Sequence, residues 1–259
     1  MTLNDAELKR LLDALILLIR DAGRVVMEVY DSDFDVEEKQ DESPVTAADR
    51  LAEAVILDGL RQLTPGIPIV AEEAVSGGVV PDVSEHFWLV DPVDGTKEFI
   101  SRNGEFTVNI ALISHGRPVL GLVLAPALSR LFHGGEGLGA WVEDAQGTRA
   151  IRVRAVPDAG LTVVGSRRHG DQSAEEALFA GRQVAERKSV GSSLKLCLVA
   201  EGGADVYPRF GRTMEWDIAA GDAVLRAAGG TVVTLDGKVL GYGKPGFDNP
   251  HFVAWGQPA

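Results

Sequence analysis

The sequence predicts a protein of the α/β class (α+β layered), with an N-terminal α+β lobe and a C-terminal α/β lobe in one domain. Between residues 105 and 141, short apolar runs are separated by turns rich in glycine and proline, which is typical of an antiparallel meander. After residue 161, apolar runs of strand length alternate with helical segments, which is typical of an α/β unit. The stretch 156–161 is the expected boundary, which gives lobes of about 1–158 and about 159–259.

The composition is typical of a globular protein, since 45% of the 259 residues are hydrophobic and 24% are charged. The net charge of −13 argues against nucleic acid as a partner. The sequence shows no integral membrane segment and no signal peptide. The single cysteine, Cys197, is interpreted as a buried core residue and is compatible with a reducing cytoplasm. We expect a cytoplasmic protein, and leave open its oligomeric state and a peripheral association with the inner membrane.

The first two elements are expected to serve packing. Leucines at three- and four-residue steps predict an amphipathic helix over residues 4–30, with Asn4 and Glu7 resembling a capping box at its start. Alternating apolar residues then predict a short strand within residues 31–38. We assign no chemistry to either element.

A second helix is predicted from Thr46 to about Leu63, where Pro65 and Gly66 end it. Thr46 is a favourable N-cap, and Asp49, three residues later, is the acidic partner expected in a capping box. The residues alone therefore explain Asp49 equally well by capping and by a role in chemistry.

Two predicted strands end in carboxylates. A compact strand at residues 67–71 leads into Glu72 and Glu73, and an apolar strand at residues 87–90 stops at Asp91, because a proline follows. Paired glutamates usually form a solvated face. Acids at the ends of two neighbouring strands are less easily explained in that way, so a shared site is also possible.

A tight turn is expected after Asp91. Asp94 lies three residues later, Gly95 allows close backbone approach, and Thr96 is expected to open a short helix. Carboxylate oxygens suit hard cations such as magnesium, and N–H groups at a helix start suit a phosphate oxygen. A simple surface turn is the alternative that this short motif alone leaves open.

The remaining elements follow from the same patterns. Strands are predicted at residues 106–113, 119–125, 130–134, 140–143, 161–165, 186–190, 206–210 and 231–235, and helices near 173–182, 194–201 and 217–228. Asp217 begins the last helix, whose small residues favour close packing. Its residue type is explained by N-capping, and the same side chain is also suited to a rigid site.

Together these segments resemble the signature of the inositol monophosphatase-like, magnesium-dependent phosphatase superfamily, over most of the chain from about residue 39 to 230. The motifs are Glu72-Glu73, Asp91-Pro-Val-Asp-Gly-Thr96 and Trp216-Asp217. Further motifs resemble the CysQ-type 3'(2'),5'-bisphosphate nucleotidases: Asp94-Gly-Thr-Lys-Glu-Phe99, Lys39 with Ser43-Pro-Val-Thr-x-Ala-Asp49, Gly165-Ser-Arg-Arg-His169, Gly191-Ser-Ser-Leu-Lys195 and Tyr207-Pro-Arg-Phe210. The chain departs from the usual pattern at Ala71, often Ser, and at Arg168, commonly a small residue.

The resemblance implies an αβαβα sandwich of the inositol monophosphatase / sugar phosphatase type and a site for two or more Mg2+ ions. It implies that Glu72, Asp91 and the Val93 carbonyl hold one ion. Asp91, Asp94 and Asp217 would hold a second. Glu73 would lie close to these ligands as a further catalytic carboxylate.

The resemblance also implies how the substrate is held. Gly95 and Thr96 would meet the phosphate through backbone N–H groups, and the Thr96 hydroxyl, paired with Asp49, would orient the attacking water. The side chains that would contact a nucleotide are Arg167, His169, Ser192, Lys195 and Arg209. The substrate would also approach the metal-site residues Glu72, Val93, Asp94, Gly95, Thr96 and Asp217.

Three hypotheses for function remain. The first is hydrolysis of a small nucleotide bisphosphate, adenosine 3',5'-bisphosphate, to AMP and phosphate, which would clear a by-product of sulfate activation and be inhibited by lithium. The second is an inositol or sugar monophosphatase with the same metal site. The third is a catalytically idle nucleotide-binding protein, against which the joint presence of the acidic motifs argues. A serine hydrolase is less plausible, because the sequence lacks a Gly-x-Ser-x-Gly elbow.

Overall fold

Two large β-sheets alternate with layers of helices in the computed structural model, which describes residues 3–38, 44–166 and 172–257. The helices are α1 Asp5–Tyr30, α2 Ala47–Leu63, α3 Glu72–Ser76, α4 Thr96–Ile100, α5 Gln172–Leu178, α6 Leu194–Ala200 and α7 Glu215–Ala227. The strands are β1 Glu37–Glu38, β2 Pro44–Val45, β3 Ile69–Ala71, β4 His86–Asp94, β5 Thr107–Ser114, β6 Arg117–Ala125, β7 Arg130–Gly135, β8 Gly139–Asp144, β9 Gly147–Ile151, β10 Leu161–Gly165, β11 Val184–Ser189, β12 Val206–Arg209, β13 Thr231–Thr234 and β14 Phe252–Trp255.

The larger sheet has seven strands in the order β3-β4-β5-β6-β7-β8-β9. Only the β3–β4 pair is parallel; the strands from β4 to β9 run antiparallel to their neighbours, which confirms the predicted meander. The smaller sheet has the order β11-β10-β12-β14-β13, with parallel pairing around β10 and antiparallel pairing around β14.

The helices complete five layers. Helices α1 and α2 pack on one face of the seven-stranded sheet, and α6 and α7 lie in the core between the two sheets. On the outer face of the smaller sheet, Phe179 after α5 packs against residues of β10, β12 and β14. This arrangement agrees with the predicted αβαβα sandwich. Within the described ranges, no helix is both long enough and apolar enough to cross a bilayer.

Small residues bring α7 very close to its neighbours. A Cβ atom at Gly121 in β6 would overlap the Ala220 carbonyl of α7, and one at Gly221 would lie 2.6 Å from Leu196 of α6. Such contacts leave no room for larger side chains, so α7 is fixed between the sheets. The start of this helix carries Asp217.

Several boundaries differ from the expectations. The first strand is only two residues long, at Glu37–Glu38, rather than spreading over residues 31–38. Strand β4 continues through Pro92 to Asp94, because its register with β5 shifts between Asp91 and Asp94. A proline is tolerated at such an irregularity, where the regular ladder of hydrogen bonds is interrupted.

Three strands were not predicted. Strand β2 has only two residues and pairs with β1 in a small separate sheet. Strand β9 is mostly exposed and has no clear apolar alternation, whereas β14 is a run of only four buried residues. The larger sheet ends at Ile151 and the smaller one begins at Leu161, but α7, from the C-terminal part, packs on the larger sheet. The division into two lobes therefore stays a prediction.

Candidate active site

The irregular end of β4 delivers Asp91 and Asp94 to one region. Asp91 is 1% exposed, and its Oδ1 accepts a hydrogen bond of 3.0 Å from the Val93 N–H. Burial, followed by the negative charges of Glu72, Asp94 and Asp217, raises the pKa of Asp91 well above its usual value. A buried carboxyl surrounded by other carboxyls is costly to ionise, so this region favours a bound cation.

Asp94 interacts both with the acidic residues and with the buried ammonium group of Lys195. Burial raises its pKa to about 6, whereas the Lys195 charge and a hydrogen bond from the Ser193 backbone act in the opposite direction. Asp94 therefore links the carboxylate cluster to the cavity that contains Lys195.

Asp217 comes from the first turn of α7. The helix is capped at Met214, so Asp217 is not the N-cap residue that the sequence suggested; its Oδ2 accepts a hydrogen bond of 2.9 Å from the Met214 N–H. Burial and the charges of Asp94 and Glu72 raise the pKa of Asp217 well above its usual value. The same side chain thus closes the helix end and faces the other carboxylates.

Glu72 and Glu73 open the short helix α3, directly after β3, rather than a loop. The buried carboxylate of Glu53, on α2, accepts the N–H of Glu73 at 2.8 Å and the N–H of Ala74 at 2.9 Å. Glu53 therefore fixes the start of the helix that carries Glu72. Sequence reasoning missed this residue, although Asp49 and Glu53 share one face of α2 at a spacing of four residues.

Asp49 is buried, and its Oδ2 accepts hydrogen bonds of 2.8 Å from both the N–H and the hydroxyl of Thr46. This confirms the capping box. The Thr96 hydroxyl donates a long hydrogen bond of 3.3 Å to the Val93 carbonyl, so the pairing of Thr96 with Asp49 stays a prediction.

Gly95 joins β4 to α4 in a conformation that favours glycine. Its φ is 92°, and a Cβ atom there would lie 3.3 Å from both the Glu105 carbonyl oxygen and the Ser192 Cβ. The missing side chain keeps the backbone at the start of α4 accessible, as the sequence suggested.

A cavity next to the carboxylates is lined by three cationic residues, Lys97, Lys195 and Arg209. It is lined by Asp94, Gly95, Glu98, Ser166, Ser192, Lys195, Tyr207, Arg209 and Asp217, among others. Lys195 is 6% exposed, and burial lowers its pKa to about 8. Its ammonium donates to the carbonyls of Val190 and Ser192 and lies 5.5 Å from the centre of the Tyr207 ring.

Arg209 also has an unsatisfied hydrogen-bond donor in this cavity. One of its nitrogens donates to the Arg212 carbonyl at 2.9 Å, but its buried Nε has no hydrogen-bond partner within the described part of the chain. An unsatisfied buried cationic donor favours an anionic ligand. The structure thus brings together the carboxylates of Glu72, Asp91, Asp94 and Asp217 and places Ser192, Lys195 and Arg209 in the adjoining cavity. Their role as ligands stays a prediction, and Arg167 and His169 lie outside the described residues.

The donor set fits magnesium. Glu72, Asp91, Asp94 and Asp217 offer carboxylate oxygens, the ligand type that hard divalent cations prefer. Burial, and after it their mutual repulsion, raises the pKa of Asp91 and Asp217. A second group that could hold a metal, Glu85, His86 and His115, lies at the opposite end of β4 and has a different chemistry.

Comparisons with known proteins agree with this geometry. Residues 7–255 match the inositol monophosphatase family. The 3'(2'),5'-bisphosphate nucleotidase CysQ of Escherichia coli strain K12 is 51% identical over 248 residues, which cover 93% of this chain and 98% of that protein. The crystal structure of CysQ from Bacteroides thetaiotaomicron is 36% identical with a TM-score of 0.80, covering 95% of this chain and 97% of that one. The Thermotoga maritima IMPase structure is 29% identical with a TM-score of 0.77, covering 96% and 92%.

Proposed function

Because this chain belongs to the inositol monophosphatase family, we propose that it removes the 3'-phosphate of adenosine 3',5'-bisphosphate, giving AMP and inorganic phosphate. The chain is an enzyme of the 3'(2'),5'-bisphosphate nucleotidase type, as its similarity to the CysQ proteins indicates. The observation that carries the proposed substrate is the cavity in which the carboxylate cluster lies beside Lys195 and Arg209. A role in sulfate assimilation and a cytoplasmic location are part of this proposal.

The family is metal-dependent, and we propose magnesium as the ion of the carboxylate cluster. Glu72, Asp91 and the Val93 carbonyl would bind one ion, and Asp91, Asp94 and Asp217 would bind another. When bound, two such ions supply Lewis-acid activation of a water molecule and stabilisation of the leaving oxygen. Glu53 supports this set by holding the helix that carries Glu72.

The chain's own groups would bind and orient the reacting phosphate. The N–H groups of Gly95 and Thr96 would donate to its oxygens, for which the conformation of Gly95 leaves room. The Thr96 hydroxyl would turn from the Val93 carbonyl towards Asp49, orient the attacking water and accept its proton for transfer to the Asp49 carboxylate. Glu73 would lie close to the metal ligands as a further carboxylate and add negative charge that favours binding of the cations.

The second phosphate of the nucleotide would bind at Lys195 and Arg209. An anion beside these groups would accept a hydrogen bond from the Arg209 Nε and compensate the Lys195 ammonium for the hydration that it loses on burial. The Ser192 backbone and side chain would contribute at the cavity edge. Arg167 and His169 remain proposed contacts to the nucleotide.

An inositol or sugar monophosphatase is the second candidate, since the IMPase of Thermotoga maritima shares this fold. The test is phosphate release in the presence of magnesium from adenosine 3',5'-bisphosphate and from inositol 1-phosphate, compared as kcat/KM. We expect a preference for the nucleotide of at least about 100-fold. A substrate with only one phosphate leaves Lys195 and Arg209 without an anionic partner, and several kcal/mol of binding free energy are then lost. Equal values, or a preference for the inositol phosphate, would refute the proposed substrate and leave the carboxylate cluster as a general phosphatase site.

A further inference from the structure

A second cluster of possible metal ligands lies far from the carboxylate cluster. We propose that Glu85, His86 and His115, here called the β4-start site, bind a transition-metal ion such as zinc. One ligand atom from each of the three side chains lies within 4.8 Å of the others. The two imidazole rings have centroids 5.5 Å apart and meet edge-on, at an interplanar angle of 76°. The proposal does not rest on the proposed substrate or on the magnesium ligands.

The backbone holds these residues together without help from the side chains. His86 pairs with Ser114 in the ladder between β4 and β5, and the His115 N–H donates a hydrogen bond of 2.7 Å to the Glu85 carbonyl. Because the backbone is fixed in this way, a metal ion would need to order only side chains, which lowers the entropic cost of binding.

His115 occupies an unusual backbone conformation. It forms with Gly116 the two-residue turn between β5 and β6, and the φ angles of the pair are 49° and 72°. Such turns favour asparagine and glycine, and histidine is one of the few other residue types that is enriched in the left-handed region. The turn therefore tolerates His115 and fixes the position from which its side chain leaves the backbone.

His86 supplies an independent sign of a ligand. Its Nδ1 atom is buried and has no hydrogen-bond partner in the part of the chain that the structure describes. A buried polar nitrogen without a partner costs about 1–3 kcal/mol, and most such groups in folded proteins are satisfied. Coordination of a metal ion through Nδ1 itself, or a rotation of the ring that exposes Nδ1, would remove this cost.

The chemistry of the β4-start site differs from that of the carboxylate cluster. Two imidazoles and one carboxylate suit zinc, cobalt, nickel or copper, whereas magnesium prefers oxygen ligands alone. Ligand atoms around a tetrahedral zinc ion are about 3.5 Å apart, given bonds of about 2.1 Å. The separation of up to 4.8 Å would close by rotation of Glu85 and His115, which are both exposed. The nearby Arg10 is already paired with Glu7, which reduces its repulsion of a cation.

The site is too far from the reacting phosphate for a direct role in hydrolysis. His86 begins β4, and Asp91 and Asp94 follow five and eight residues later on the same strand. At about 3.3 Å per residue, the separations are about 17 Å and 26 Å. A bound ion would instead tie the segment before β4 to the turn between β5 and β6, so it should change stability more than turnover.

The test uses the full-length enzyme, freed of metal and then saturated with magnesium, and titrated with zinc by calorimetry and by thermal unfolding. We expect one zinc ion per chain at this site and a higher Tm with zinc. His115→Asn is the main variant, because asparagine tolerates the turn conformation; it should weaken zinc binding at least about 10-fold, which is the usual cost of a disturbed ligand set. Glu85→Gln is a second variant that leaves the turn unchanged.

Two controls separate this site from others. His251→Asn removes an exposed imidazole elsewhere and should leave zinc binding unchanged. Asp94→Asn alters the carboxylate cluster and should likewise leave zinc binding at the β4-start site unchanged. The proposal is overturned if the folded His115→Asn and Glu85→Gln proteins bind zinc as the unaltered enzyme does. It is equally overturned if Asp94→Asn, rather than His115→Asn, abolishes zinc binding.

Discussion

Replacing Glu53 by glutamine should weaken metal binding without touching a predicted ligand. The Glu53 carboxylate accepts two N–H groups, from Glu73 and Ala74, at 2.8 and 2.9 Å. Glutamine keeps one acceptor oxygen but presents an NH2 donor to the second N–H, so one charge-assisted bond is lost and a buried donor is left unpaired. This costs about 1.5–3 kcal/mol, which corresponds to a fall in Tm of about 3–12 °C for a chain of this size.

The functional part of this prediction concerns Glu72. Because Glu53 fixes the start of α3, its loss should displace Glu72 and raise the magnesium concentration needed for half-maximal activity by about 10- to 100-fold. Turnover at saturating magnesium should recover largely, since every proposed ligand is still present. The assay is phosphate release as a function of magnesium concentration, with thermal unfolding measured in parallel.

Asp58→Asn is the matched control for this experiment. Asp58 lies on the same helix, α2, in an exposed ion pair with Arg61, so its replacement should change neither the Tm nor the magnesium dependence measurably. If Glu53→Gln lowers the Tm but leaves the magnesium dependence unchanged, Glu53 is purely structural and the link to Glu72 is refuted.

Three further substitutions follow from the same geometry. Asp94→Asn should lose nearly all turnover while the Tm stays the same or rises, because a repelling charge is removed from the cluster; unchanged turnover would exclude Asp94 as a ligand. Gly95→Ala should cost about 1–2 kcal/mol of stability, since its φ is 92°, and should lower kcat/KM as the new methyl group crowds the site; full activity would contradict the proposed backbone contact. Burial opposes ionisation of Asp205, but hydrogen bonds from Arg154 and from the Thr162 N–H outweigh it and keep its pKa below the usual value. This stabilisation is present above the unfolded pKa of about 3.9 and is lost as the pH falls through the folded pKa, so the Tm difference between the unaltered chain and Arg154→Gln should shrink below about pH 4; a constant difference would refute the ion-pair explanation.

The sequence predicted those parts of the site that local chemistry dictates. The cap at Thr46, the strand that delivers Asp91, and the glycine at position 95 are each explained by neighbouring residues. The order of the acidic motifs along the chain resembles one family, and this resemblance assigned Asp217 to the same site. Local chemistry therefore predicts caps and turns, and the acidic residues at those points could be recognised.

The remaining features depend on contacts between distant segments. Glu53 looks like an ordinary polar residue of α2 until its contact with α3, twenty residues later, is known. The continuation of β4 past a proline depends on its pairing with β5, and the neighbourhood of His86 and His115 depends on the same pairing. No window of the sequence contains these relations, so they could not be predicted from it.

The most direct test of the central claim is whether Arg209 recognises the second phosphate. It compares kcat/KM for adenosine 3',5'-bisphosphate and for adenosine 3'-monophosphate in the unaltered enzyme and in Arg209→Ala, with Arg212→Ala as an exposed control. We predict that the unaltered enzyme and the control prefer the bisphosphate, and that Arg209→Ala loses this preference while its activity on the monophosphate changes little. Equal activity of the unaltered enzyme on both nucleotides, or an equal loss on both in Arg209→Ala, would contradict the claim.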